Sequence, residues 1–165
     1  TADDLASPRG VLRGLGRGDF LVARDGTALA GALAVWDQDS FRQTVMADYR
    51  GPLRRARLLL GARADRLLPA PGQAVATASV ACLAVAEDRP DVLRALLRHA
   101  YARAAERGKA FLMLGLAADD PLLPVATRRL HLTTRSRIYA VEWGEGVDVI
   151  RSLGSRPLYL EPGSL

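Results

Sequence analysis

The first half of the chain alternates between short apolar runs and turn residues, a pattern typical of β-structure. Residues 20–24 and 28–38 are two such runs, and Asp25-Gly26 lies between them. Because this dipeptide tolerates the positive φ angles of a tight turn, we expect the two runs to pair as an antiparallel hairpin. Residues 41–49 alternate more loosely and predict a third strand.

A longer unit occupies the middle of the chain. Residues 74–86 are apolar on both faces, which is typical of a strand in a sheet covered on both sides. In residues 91–107 the apolar side chains recur at helical spacing, and Gly108 supplies the left-handed stop. Residues 110–116 are another short apolar run. Strand, helix and strand together predict a β-α-β unit with a right-handed parallel crossover.

Weaker patterns flank this unit. Pro52 opens a predicted helix that runs to about Ala64. Its expected buried side consists of Leu53, Leu58, Leu59 and Ala62. The other predicted elements are a helix at 121–130, a strand at 133–143 and an edge strand at 158–161. We therefore expect an α/β fold, a mixed twisted sheet of about six or seven strands with helices on both faces.

Length and composition fit one globular domain. The chain has 165 residues, of which 49% are hydrophobic and 25% charged, ordinary values for a folded protein. We expect a leader over residues 1–19, left from a longer chain, and one domain over residues 20–165. No apolar run approaches the roughly 20 residues of a membrane span, so we expect no membrane partner. The lone Cys82 and the lack of a Cys/His cluster predict a cytoplasmic protein without a metal site.

The formal net charge of +5 comes almost entirely from arginine, since Lys109 is the only lysine. One interpretation is a solvated basic surface. The other is attraction to an anion such as CoA, nucleic acid or lipid headgroups. Nucleic acid is the weakest of these candidates, because the basic residues are not interleaved with aromatic ones and no nucleic-acid motif is present.

Part of the chain resembles a known superfamily. Residues 79–97, S-V-A-C-L-A-V-A-E-D-R-P-D-V-L-R-A-L-L, and the order of predicted elements are similar to the acyl-CoA N-acyltransferase (GNAT) superfamily. The likeness covers about residues 20–143. W-D-Q at 36–38, R-Q-T-V at 42–45 and P-L-Y-L-E at 157–161 resemble a subgroup of longer GNAT-like proteins. In these proteins a domain like this one resembles the C-terminal half.

The resemblance implies a co-substrate and partners. The co-substrate would be acetyl-CoA or another acyl-CoA, whose pyrophosphate is held by backbone N–H groups at a helix start. Its pantetheine arm would pair with the splayed end of the long strand, and a backbone amide would polarise the thioester carbonyl. The implied cofactor contacts are Leu83, Ala84, Val85, Arg89, Asp91 and Val92. The acceptor would be an amine or another small molecule, and a second GNAT-like domain or a second copy of the chain would be the partner.

The catalytic candidates are Asp119, Asp120 and Tyr139, and each has a purely structural alternative. The two aspartates follow the C-terminal end of a predicted parallel strand, where open α/β sheets bind ligands, but they also precede a helix that they could cap. Tyr139 is a candidate acid if it faces the cleft, and otherwise a core or sheet-surface residue. Asp37 and Gln38, at the end of the hairpin, are candidates for the acceptor side.

The turn at residues 85–93 departs from the superfamily pattern. It has no glycine, it carries the acidic residues Glu87, Asp88 and Asp91, and Pro90 removes one N–H donor. Acidic residues also stabilise a helix start, which is the simpler explanation for them. Two hypotheses remain open: an N-acyltransferase-like domain, or a catalytically inactive GNAT-like half with a structural or ligand-binding role.

Overall fold

The computed structural model describes residues 10–139 together with Glu161 and Gly163. The chain forms a mixed α/β domain built on one sheet. In chain order its elements are β1 (Phe20–Asp25), β2 (Ala28–Trp36), α1 (Pro52–Leu60), β3 (Thr77–Val85), α2 (Pro90–Glu106), β4 (Phe111–Met113) and α3 (Leu123–Ala126). Short 3-10 turns lie at Arg17–Asp19, Gly61–Ala64 and Ala86–Asp88.

The strands lie side by side in the order β1-β2-β3-β4. The predicted hairpin is confirmed: β1 and β2 are antiparallel, and Gly26 takes a φ of +59° in the turn between them. β2 and β3 are also antiparallel, whereas β3 and β4 are parallel. The predicted parallel crossover is therefore confirmed as β3-α2-β4, and Gly108, with a φ of +75°, follows the end of its helix.

The described residues contain four strands, so the expected count of six or seven is not reached there. Residues 41–49 make one isolated bridge, Val45 to Ala74, because their backbone bonds to the loop before β3. Residues 133–139 are exposed and not in a strand, and none of the described strands pairs with them. The rest of that predicted strand, residues 140–143, and most of the predicted strand at 158–161 lie outside the described residues.

Apolar clusters cover both faces of the sheet, since consecutive strand residues point to opposite sides. One face packs against α2, and its buried residues are Ala30, Leu33, Val35, Ala78, Val80, Val92, Leu93, Leu96, Leu97, Ala100, Ala104 and Leu122. The other face buries Leu15, Ala34, Trp36 and Ala81. Loop side chains such as Leu12 and Phe41, rather than a described helix, pack on that second face, so the expected second layer of helices is not found in the described part.

The helix α1 was expected to bury its leucines, and this prediction is wrong. Leu53, Leu58 and Leu59 are 42%, 75% and 85% exposed, and none of the described α1 side chains is buried. The helix also ends at Leu60 instead of continuing to Ala64, because Gly61 takes a φ of +51°. Helical spacing predicted the helix correctly but could not show which element would cover it.

Candidate functional site

Within the described part of the chain, the long strand β3 has an unpaired edge beyond the end of β4. The two strands pair only from Thr77 opposite Phe111 to Ser79 opposite Met113. β4 ends there, while β3 continues to Val85. Among the described residues, no strand pairs with residues 80–85 on that side of β3. The backbone groups along this edge are therefore the ones that could pair with an extended ligand.

A bulge interrupts β3 on its other side. Ala32 lies opposite Ala84 and Ala34 opposite Ala81, so β3 carries one more residue than β2 over this stretch. Cys82, within the bulge, has a φ of +52°, and its N–H donates to Oε2 of Glu161 at 2.8 Å. Burial, and then the Glu161 carboxylate, raise the pKa of the Cys82 thiol. At the bulge, the N–H of Cys82 therefore bonds to a side-chain carboxylate instead of to the neighbouring strand.

The turn after β3 keeps a backbone that glycine favours, although it contains no glycine. Glu87 and Asp88 have φ angles of 54° and 48°, in the left-handed region. For side chains other than glycine this conformation costs roughly 1–3 kcal/mol per residue unless the surroundings hold it. This turn therefore places acidic side chains on two consecutive left-handed residues, a conformation that glycine adopts without this cost.

The start of α2 is occupied by an ion-pair network. The guanidinium of Arg89 contacts Asp91 through Nη2 at 2.8 Å and Asp25 through Nη1 at 2.7 Å. The hydrogen bond to Asp91, followed by the one to Asp25, raises the pKa of Arg89. The same contact with Arg89 lowers the pKa of Asp91, so this carboxylate remains charged at the mouth of the helix. The negative charge of these carboxylates opposes the approach of a phosphate to the helix N–H groups.

The predicted cofactor residues come together at this one end of the sheet. Leu83 and Val85 are half-buried, and both pack partly against the α2 cluster, whereas Ala84 is exposed. The Val92 side chain belongs to the core at 6% exposure. Val92 could therefore contact a ligand only through its backbone. Arg89 and Asp91 are the two of the six predicted contacts that have charged side chains.

The predicted catalytic residues are less well grouped. Asp120 Oδ1 accepts the N–H of Leu122 at 2.8 Å, so this side chain caps the turn before α3. Asp119 is exposed and follows β4, whose last residue, Met113, pairs with Ser79 near the start of β3, so the pairing of β4 does not bring Asp119 to the start of α2. Tyr139 is 73% exposed on a segment without strand structure, so the structure places it on the surface.

Asp37 and Gln38 lie at the opposite end of the sheet. Trp36 pairs with Ser79 near the start of β3, which places these residues about 20 Å along the strand from Val85. Gln38 is buried and donates through Nε2 to the Gly163 carbonyl at 2.5 Å. Neither residue is positioned to serve an acceptor bound at the start of α2.

A buried lysine, which the sequence did not single out as functional, organises that opposite end. The Nζ of Lys109 lies 2.6 Å from Asp37 Oδ1 and 2.6 Å from Asp39 Oδ2, and its side chain is 4% exposed. Burial opposes the charge, but the two hydrogen bonds outweigh it and raise the pKa of Lys109. For Asp37 burial likewise opposes the charge, yet the Lys109 contact prevails and lowers the pKa. The cluster ties the start of β4 to the end of β2 and has a structural explanation.

Two grooves lie along α2, and Lys109 lines one of them. The two grooves, of ≈ 260 and ≈ 420 Å³, share Tyr101 of α2 and Arg129 after α3. Arg129 stacks on the Tyr101 ring with its guanidinium carbon 5.2 Å from the ring centre. Neither groove is lined by any of the predicted cofactor residues.

The described residues provide neither a metal cluster nor a membrane-spanning helix. No group of three or more His, Cys, Asp or Glu side chains is placed to hold a metal ion. Nor is any helix there long and apolar enough to cross a membrane. Comparison with protein families, curated proteins and solved structures found no match to this chain.

Proposed function

We propose that this chain is an acyl-CoA-dependent N-acyltransferase-like domain, which transfers an acetyl or longer acyl group to an amine. The observation that carries the proposal is the open edge of β3 over residues 80–85, next to a parallel β4 that ends early. An extended arm with its own amides can add to such an edge in the manner of a strand. Pantetheine carries two amides in an extended chain and suits this role.

The bulge supports the same proposal. The N–H of Cys82 donates to Glu161, and a thioester carbonyl that displaced this carboxylate would accept the same hydrogen bond, which would stabilise the charge that develops on its oxygen. The amine nitrogen then attacks the carbonyl carbon, the C–N bond forms and the C–S bond breaks. The leaving thiolate takes a proton, and the amine gives one up to a base. Asp119, which is exposed in the segment after β4, is the proposed base.

A second candidate function is a catalytically inactive GNAT-like half, and the start of α2 favours it. Asp91 and Asp25 hold Arg89, and Glu87 and Asp88 add two more carboxylates to the turn. Four carboxylates against one guanidinium repel a pyrophosphate. On this hypothesis the domain keeps the scaffold and serves as a structural or ligand-binding partner of a second domain or a second copy. That partner, and a cytoplasmic location, stay predictions.

Thermal melting with acetyl-CoA and with free CoA tests the binding step. A ligand at a hundred times its dissociation constant stabilises a protein by about 2.7 kcal/mol, which corresponds to a rise of roughly 5–10 °C for a domain of this size. We expect Asp91→Asn to bind acetyl-CoA several-fold more tightly than the wild type, because one competing charge is removed. Glu106→Gln, an exposed carboxylate at the far end of α2, is the matched control.

Thiol release from acetyl-CoA in the presence of a panel of amines tests the catalytic step. We expect turnover that Asp119→Asn reduces at least tenfold and Glu106→Gln leaves unchanged. Tyr139→Phe tests the predicted acid in the same assay. Binding without turnover for any amine would favour the inactive half, and the absence of a melting shift with short and long acyl-CoAs would remove the acyltransferase proposal.

A further inference from the structure

The surface around α1 exposes an unusual amount of apolar side chain. Five leucines in and just after the helix are between 42% and 85% exposed: Leu53, Leu58, Leu59, Leu60 and Leu67. Contiguous exposed apolar residues of this kind mark an interaction site in a folded protein. A nine-residue helix is also marginal by itself, so a surface that covers these leucines would stabilise it.

The same segment is strongly basic. Residues 50–67 contain six arginines and one acidic residue, Asp65, which gives this segment a formal charge equal to the +5 of the whole protein. Arg57 points back to the domain: it contacts Asp65 at 3.2 Å, the Leu68 carbonyl and the ring of Tyr49. Arg54 and Arg55 are exposed and make no ion pair with a described residue. Exposed leucines and unpaired arginines therefore lie on one short helix.

The arrangement of the leucines distinguishes between kinds of partner. Leu58, Leu59 and Leu60 are consecutive, so their side chains are about 100° apart around the helix and together span more than half of its circumference. The flat face of a partner helix or sheet can cover only one side of such a tip. The acyl layer of a bilayer is fluid and surrounds it on all sides, while the arginines above reach the phosphates.

We propose that α1 binds the surface of an anionic lipid bilayer, with its leucine tip in the acyl region and Arg54 and Arg55 at the headgroups. Only the tip enters the acyl region, and the helix does not cross the bilayer. This surface contact departs from the expectation of no membrane partner, which rested on the lack of a membrane span. Each cation near an anionic membrane strengthens binding about fivefold, and each inserted leucine about tenfold or more. The proposal is independent of acyl transfer, because α1 is separate from the open edge of β3.

Co-sedimentation of the purified chain with vesicles tests this. One set contains phosphatidylcholine alone and the other an equal mixture of phosphatidylcholine and phosphatidylglycerol, each at low and high salt. We expect binding to the mixed vesicles that weakens with salt, because the headgroup contacts are screened. Leu58→Ser with Leu59→Ser should lower the partition coefficient about a hundredfold, and Arg54→Gln with Arg55→Gln about twenty-five-fold.

Matched controls come from elsewhere on the surface. Leu132 is 76% exposed, close to the 75% of Leu58, and Arg98 is exposed on α2. Leu132→Ser and Arg98→Gln should leave vesicle binding unchanged, and melting curves check that every variant is folded. No binding to the mixed vesicles, or equal losses in the controls, overturns the proposal. Self-association that the leucine variants abolish, without vesicle binding, also overturns it and assigns the surface to a protein partner.

Discussion

Gly31 allows α2 to approach the sheet, and replacing it with alanine tests how closely the two pack. A Cβ at this position would lie 2.9 Å from Val92 Cγ1, 3.0 Å from the Ala84 carbonyl oxygen and 3.2 Å from Leu96 Cδ1. Val92 and Leu96 are 6% and 3% exposed, so neither side chain has free space to move into. The carbonyl belongs to the paired backbone of β3 and is fixed more firmly still.

Two effects of Gly31→Ala oppose each other. Alanine restricts the unfolded chain and would stabilise a strand by about 0.4–1 kcal/mol if it fitted without strain. Overpacking a filled core costs about 1–3 kcal/mol, and the three short contacts place this site towards the upper end. We therefore expect a net destabilisation of roughly 1–2.5 kcal/mol, and a melting temperature lower by about 2–10 °C.

Urea unfolding followed by circular dichroism measures the change directly. The double variant Gly31→Ala with Val92→Ala is the informative partner, because the smaller side chain makes room for the new methyl group. The double variant should be destabilised by less than the sum of the destabilisations of the two single variants. A Gly31→Ala protein as stable as the wild type, or additive behaviour in the double variant, would refute the close packing of α2 on β2.

Three other expectations follow from the packing and the charges. Leu93→Ala, at a fully buried position of α2, should cost about 2–5 kcal/mol in urea unfolding. Lys109→Met should cost about 1–3 kcal/mol, less than a fully buried ion pair, because Asp37 and Asp39 can regain water; a melting temperature equal to the wild type would contradict this. The stability conferred by this cluster should be lost on both sides of a neutral plateau. Because the pKa of Asp37 is lowered by folding, its contribution to stability is present above about pH 4 and is lost as the pH falls through the folded-state pKa. Because the pKa of Lys109 is raised by folding, its contribution is present below about pH 10 and is lost as the pH rises through the folded-state pKa. Asp37→Asn should flatten the acid limb of that profile.

The two candidate functions predict different properties for the N-terminus of α2. The turn at Glu87 and Asp88 leads into the start of α2, whose backbone N–H groups could bind a phosphate as at other helix N-termini. The acidic side chains on that turn, and the bond between Arg89 and Asp91, oppose the charge of one. The helix N–H groups favour phosphate binding at this site and the neighbouring carboxylates oppose it, so binding and turnover must be measured separately.

Local patterns in the sequence were sufficient where neighbouring residues determine the structure. The hairpin followed from two apolar runs and the Asp25-Gly26 turn, and both strands and their pairing are present. The helical spacing after Pro90 and the stop at Gly108 predicted α2 to within a residue. The parallel crossover also followed, because two buried strands joined by one helix can form one sheet in few ways.

Contacts between distant segments were not available from the sequence. The bulge contact of Cys82 with Glu161, 79 residues away, and the pairing of Lys109 with Asp37 depend on how the chain returns on itself. The strand predicted at 41–49 alternates as a strand should, yet it makes a single bridge because its partners are loop residues. Periodicity describes one face of one element and carries no information about what lies opposite.

The amino-acid sequence by itself determined the α/β class, the hairpin and the β3-α2-β4 unit, because turn chemistry and apolar spacing act over a few residues. Only the tertiary structure decided that β4 stops short of β3, that Lys109 is buried between two carboxylates, and that the leucines of α1 face outwards. The physical reason is that burial and strand pairing depend on two surfaces in contact. A local sequence pattern describes one of these surfaces and does not identify the other.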